Sequence, residues 1–252
     1  MAAVGLAALT LATGVRAASG GAPGPGDLLP DLFQETPQDI GIQRVAGRQL
    51  LGFRSAVQNI GAGRLAITGA RAGVAVRDMR ADQLITRADG SVRRVAGIGF
   101  VRYVSSPDHS HWHFLPFERY ELRGADSGRR VARDRKSGFC LGDRYRVEPR
   151  PPRAARVAAF ASNCGLGRTD LLRIREGISV GWADDYGAYL DSQVIDVTGV
   201  PQGRYRLVHT VNASGRVVEA DHGNNTASVL IALTRSGGRV RVRVLRAFPA
   251  PR

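Results

Sequence analysis

Lysine is almost absent from this sequence. Of its 36 basic residues one, Lys136, is a lysine and the rest are arginine. A surface ion pair tolerates either cation. Only an amine can lose its proton and act as a nucleophile, because a guanidinium stays charged in a protein. The position that arginine has not taken therefore points to a need for the amine itself. Cysteine is scarce too, with Cys140 and Cys164 alone. In an exported chain an even count predicts one disulfide; the loop closed here is about 25 residues, worth on the order of 3 kcal/mol. A sustained helical period and an internal repeat are both missing, and beyond the N-terminus no apolar run is long enough to span a membrane. Acidic residues number 22, leaving a formal charge of +14. The arginines are scattered along the chain without interleaved aromatic residues, which argues against nucleic acid and for attraction to anionic cell-surface polymers.

What is present reads as an exported all-β protein. Ala2 to Val15 is apolar and small, and Val15-Arg16-Ala17 fits a signal-peptide cleavage site, predicting a signal over 1–17, a mature start near Ala18 and a secreted, extracellular product. The competing reading, a membrane anchor, needs roughly 20 apolar residues where this stretch has about 14. A Gly/Pro-rich linker covers 18–26 and a single domain 27–252. Leu50–Val57 and Gly63–Gly69 read as strands joined by the turn 59–63, with Val74–Arg77 next to pair. Residues 80–95, polar and Arg-rich, read as loop, as do 144–156. Further strands are expected at 101–104, 117–122, 194–197 and 226–233. Gly203–Val211 and Arg216–Ala220 read as a hairpin, and Arg239–Leu245 as a basic edge strand. The pattern predicts a β-sandwich with long functional loops and little helix.

Three of the five histidines stand in the run His109-Ser110-His111-Trp112-His113. On an extended segment a spacing of two puts all three on one face. The end positions lie about 13 Å apart on a straight strand, so one metal ion takes all three only where the segment bends. Pro107 and Pro116 flank it, and Asp108 is placed to orient a ligand. Neutral imidazole suits Cu(II) and Zn(II), and no third thiolate or nearby carboxylate pair points to iron. Spacing alone does not choose between those metals, or between a metal site and a solvent-facing strand. Farther on, Glu219, Asp221, Asn224 and Asn225 offer hard oxygen donors within a short span, which suits Ca²⁺; the competing reading is an Asx-rich turn without an ion.

The run HSHWHF, the strand FERYEL, the segment from Lys136 through Phe139-Cys140 to Asp143, the run Trp182-Ala183-Asp184-Asp185-Tyr186-Gly187-Ala188 through Gln193, and Glu219 to Asn225 resemble, in the same order, the catalytic domain of the lysyl oxidases. The resemblance covers about Leu29 to Leu233. It implies a copper-dependent amine oxidase with three copper histidines at His109, His111 and His113. It further implies a lysyl tyrosylquinone cofactor built from Lys136 and Tyr186, with Tyr189 a near alternative. A family disulfide matches Cys140 with Cys164, while Ser192 stands where a further family cysteine would be. The calcium reading gains Asp31 and the Leu32 carbonyl. The implied chemistry is ping-pong oxidation of a primary amine, peptidyl lysine in the family, by molecular oxygen to an aldehyde, hydrogen peroxide and ammonia. A carboxylate base with a raised pKa is needed, for which Asp184, Asp185 and Asp191 are candidates. A chain of charge +14 repels a cationic substrate at long range, screened beyond about 10 Å, unless Asp184-Asp185 reverses the field locally. The rival reading is a non-catalytic extracellular β-sandwich that binds copper or serves adhesion.

Overall fold

A computed structural model describes residues 21–105, 110–134, 138–190 and 193–251. His109, Lys136, Asp191, Ser192 and the expected signal segment 1–17 lie outside the described residues, as do Pro107 and Asp108. Among the described residues there is no helix, and every strand pairing is antiparallel. The first sheet orders β1 (Leu32–Gln34), β3 (Arg48–Asn59), β12 (Trp182–Tyr186) and β10 (Tyr145–Arg146), with β2 (Gln38–Val45) and β13 (Val194–Asp196) also on β3. The second orders β11 (Arg173–Ile178), β4 (Leu65–Ala70), β5 (Asp78–Thr86), β6 (Val92–Ser105) and β7 (Ser110–Leu115). The third orders β16 (Arg239–Phe248), β15 (Thr226–Ser236), β14 (Gly203–Val211), β8 (Glu118–Gly124) and β9 (Arg130–Arg133).

The first and third sheets face each other through aromatic residues. The Phe53 ring of β3 meets Tyr120 of β8 edge-on at 4.9 Å and His209 of β14 at 4.6 Å. The fold is all-β, as the alternating patterns predict. The basic edge strand is also found, since β16 ends its sheet and its arginines at 239, 241, 243 and 246 are exposed.

Several local expectations are corrected. β3 and β4 do not pair; they enter different sheets. The turn between them passes under the segment 28–31, where a Cβ on Gly63 would sit 1.8 Å from the Leu28 carbonyl oxygen, and this close passage redirects the chain. Residues 74–77 form no strand, because the Arg71 guanidinium donates to the carbonyls of Val74 and Val76. Residues 80–95 lie largely in β5 and β6. Met79, Ala81 and Ile85 are buried there, while Arg94 pairs with Asp82 at 2.7 Å across the strands. The arginines satisfy cross-strand carboxylates and so mask a strand pattern. Arg216–Ala220 is not the partner of β14, which pairs with β15 and β8. Its peptide groups are taken by side chains: Gln83 exchanges two hydrogen bonds of 2.8 Å with Val218, and Asn212 does the same with Val217 at 2.9 and 3.1 Å. β2, β11 and β12 fall where the sequence gives no clear strand pattern.

Candidate active site

β7 carries the described part of the histidine run, and its alternation sets the site. Trp112 and Phe114 point into the core and are fully buried. His111 and His113 point the other way, as a spacing of two predicts. Trp112 is fixed by its indole N–H, which donates to the Arg168 carbonyl at 2.8 Å, and by its peptide N–H on the Cys164 carbonyl at 3.0 Å. On the opposite face the Nε2 atoms of His111 and His113 stand 2.8 Å apart. His113 is 3% exposed.

These two imidazoles line a cavity of about 260 Å³ together with Tyr186, Cys140, Arg144, Asp185 and Tyr189. Tyr186 ends β12 and is buried, whereas Tyr189 is 76% exposed. The Tyr189 ring lies over Gly187, where a Cβ would come within 2.3 Å of it. Of the two tyrosines named from the sequence, Tyr186 is the one held inside the protein. Its hydroxyl donates to the Cys140 carbonyl and lies 3.0 Å from Asp184 Oδ2, and the Phe139 ring meets its ring edge-on at 4.5 Å.

The segment following Lys136 is clamped on every side. Phe139 exchanges backbone hydrogen bonds with Phe114 of β7 at 2.8 and 3.1 Å. Cys140 is joined to Cys164 by the expected disulfide. The N–H of Gly142 donates to Asp184 at 3.2 Å, and that of Leu141 lies 3.4 Å from Glu176 Oε2. Asp143 then accepts from the N–H groups of Ala159, Phe160 and Ser179 and from the Ser179 hydroxyl. Residues 139–143 are thus locked to the strand of histidines on one side and to Tyr186 on the other.

The electrostatics differ from what a neighbouring Asp-Asp pair implies. Asp184 is buried, and burial pushes its carboxyl well above the usual range. Burial does the same to Glu176, and burial followed by the Asp184 charge raises the Tyr186 phenol. Asp185 is held between the guanidiniums of Arg54 at 2.9 Å and Arg144 at 3.0 Å. The pair is therefore not an acidic attractor: one carboxyl is buried and the other is matched by two cations.

Sequence reasoning missed a buried polar network behind Tyr186. Ser55, the register partner of Tyr186 across β3 and β12, donates to Glu118 at 2.9 Å and lies 3.1 Å from His209 Nδ1. The Tyr120 hydroxyl also bonds Glu118. Burial raises the Tyr120 phenol and lowers the His209 imidazole well below its ordinary value, keeping both neutral. Nothing in a lone Glu, Ser or His along the chain signals this, because the network is assembled by register. Beside it, burial raises Asp134 from 3.8 to about 7. The folded state then holds a proton that the unfolded chain releases above about pH 4, so this contribution to stability is present at low pH and lost as pH rises through 7. Urea unfolding of Asp134→Asn is expected to remove a slope of at most about 1.4 kcal/mol per pH unit between those limits.

The residues of the calcium reading are also brought together. Glu219, 3% exposed, accepts from the Asn212 and Asn225 amides at 2.6 and 2.7 Å and from the Leu32 N–H at 3.0 Å. The Asn224 amide donates to Asp31 at 2.7 Å, and Asp221 is exposed. The side-chain oxygens of Asn224 and Asn225 are buried without a hydrogen-bond partner among the described residues. Among the described residues no three His, Cys, Asp or Glu side chains converge on one point.

The lysyl oxidase family model matches residues 102–243, more than half of the chain. Human protein-lysine 6-oxidase is 35% identical over 130 residues, which is 50% of this chain and 27% of that protein. Its counterpart from Sus scrofa is 34% identical over 130 residues, 50% of this chain and 45% of that protein. Lysyl oxidase homolog 2 of Gallus gallus is 32% identical over 118 residues, 46% of this chain and 13% of that protein. The matched region thus spans less than half the length of each of these curated relatives. It contains the histidine strand, the clamped segment after Lys136 and Tyr186, and on these grounds the chain belongs to the lysyl oxidase family.

Proposed function

We propose that this protein is a secreted, copper-dependent amine oxidase that converts primary amines, peptidyl lysine among them, to aldehydes with release of hydrogen peroxide and ammonia. The observation that carries the reading is the pair of imidazole nitrogens 2.8 Å apart on a cavity that Tyr186 also lines. Two imidazole nitrogens facing one another on one cavity wall are donors of the kind that would suit Cu(II). The described residues therefore fit copper. His109, His111 and His113 are the proposed ligands, and Lys136 and Tyr186 the proposed parents of a lysyl tyrosylquinone, which would supply the electrophilic carbonyl and take up the amine's electrons.

The chain's own residues prepare that chemistry. Phe139 and the disulfide hold the Tyr186 ring and the segment after Lys136 in a fixed relation. Asp184 is the carboxyl within reach of the Tyr186 oxygen, and its burial keeps its proton affinity high, as a base working near neutral pH requires. Arg144 and Arg54 hold Asp185 away from that role. In the same reading residues 1–17 are a cleaved signal, and Asp31, Leu32, Glu219, Asp221, Asn224 and Asn225 bind Ca²⁺ through oxygens that include the two buried asparagine carbonyls. The test is peroxide release from copper-loaded, aerated protein across small primary amines and lysine-bearing proteins. Peroxide tied to amine supports the reading; copper uptake with no peroxide from any amine supports the non-catalytic alternative.

A further inference from the structure

The arginines look scattered in the sequence, but the third sheet gathers them. On β16, Arg239, Arg241, Arg243 and Arg246 share its outward face, their register partners on β15 being Ser236, Thr234, Ala232 and Leu230. On β14 that face carries Arg204 and Arg206, and Arg206 stands directly opposite Arg123 of β8. Arg123 in turn faces Arg130 of β9. One carboxylate, Glu121, lies among them in these strands, already shared by Arg123 at 2.7 Å, Arg130 at 3.3 Å and Arg119 at 3.7 Å. Like charges directly opposite one another on a sheet are destabilising. This face therefore holds a concentration of positive charge that, among the described residues of these strands, Glu121 alone offsets.

We propose that the outward face of the β16-β15-β14-β8-β9 sheet is a docking surface for a linear, base-free phosphodiester polymer of the kind found on cell surfaces. Charge complementarity carries the choice. Alternate arginines along β16 are about 7 Å apart, Arg206, Arg123 and Arg130 follow one another across adjacent strands about 5 Å apart, and β15, which carries no arginine on this face, sets the two groups about 10 Å apart; each guanidinium can take a phosphate through paired N–H donors. Nucleic acid fits less well. The aromatic ring of this face, Phe248, is covered by the guanidiniums of Arg206 at 4.0 Å and Arg246 at 5.0 Å, so it offers no open platform for stacking a base. No residue lining the histidine–tyrosine cavity belongs to these strands. The surface is thus separate from the site, and the inference stands whether or not the protein oxidises amines.

The test uses the full chain and purified poly(glycerol phosphate) as probe. Wild-type protein is expected to bind it, with affinity falling at least about tenfold between roughly 50 and 200 mM salt. Arg241→Glu with Arg243→Glu is expected to weaken binding by about tenfold or more, whereas Arg153→Glu with Arg156→Glu, the same charge change in an exposed loop, costs less than about threefold. The neutral pair Arg241→Gln with Arg243→Gln, with thermal unfolding of each variant, guards against a folding defect and should show an intermediate loss. Equal losses at the two places would reduce the effect to net charge and overturn the proposal. So would absence of binding, or tighter binding to duplex DNA or to anionic phospholipid vesicles than to the polymer at matched charge.

Discussion

Replacing Lys136 by arginine should leave copper-loaded, aerated protein without quinone absorbance and with amine-dependent peroxide at background, a loss of at least about a thousandfold for a variant that lacks its covalent cofactor. The substitution keeps the positive charge and most of the side-chain length, so any ion-pair role of Lys136 would survive it. What it removes is an amine that can be deprotonated, since a guanidinium does not lose its proton in a protein. Spectroscopy and peroxide release on the same sample distinguish the two roles. Segment 138–143 has anchors of its own in the Phe114 backbone, the disulfide, Glu176, Asp184 and the Asp143 cluster, which the substitution leaves in place.

Asp184→Asn is expected to lower turnover by about 10² to 10⁴-fold, the usual contribution of a positioned general base. Asparagine preserves shape and can still accept from the Gly142 N–H and the Tyr186 hydroxyl, so the local packing should hold. A merely structural role for Asp184 would lower the yield of quinone or of folded protein and leave turnover per quinone unchanged. The expected result is quinone formed and turnover per quinone reduced, with the alkaline-rising limb of the wild-type pH profile lost. By contrast Asp185→Asn, which removes a carboxylate already matched by Arg54 and Arg144, should change the pH profile little.

Parts of this site are legible in the sequence because they depend on local pattern. The spacing of two in the histidine run places His111 and His113 on one face of β7, and the Trp112 and Phe114 between and beside them are the core residues that turn that face outward to the cavity. Parts depend on register and are not legible. Asp184 and Asp185 read alike as candidate bases in a local acidic pair, yet adjacent positions on β12 point to opposite sides, one into the protein and one to a pair of arginines. Ser55, Glu118, Tyr120 and His209 come from β3, β8 and β14 and meet only when two sheets pack. The Arg-rich stretch 80–95 reads as loop because its charges hide an alternation that burial of Met79, Ala81 and Ile85 makes plain. The same effect at larger scale conceals the basic face, whose arginines run from residue 119 to 246 and are neighbours only across strands.

If copper and oxygen build a cofactor from Lys136 and Tyr186 as proposed, peptide mass spectrometry of copper-loaded, aerobically matured protein will detect it. The expected result is one cross-linked species containing both residues, absent from metal-free protein and from Lys136→Arg. Recovery of unmodified Lys136 and Tyr186 peptides in full yield from metallated, aerated protein would contradict it.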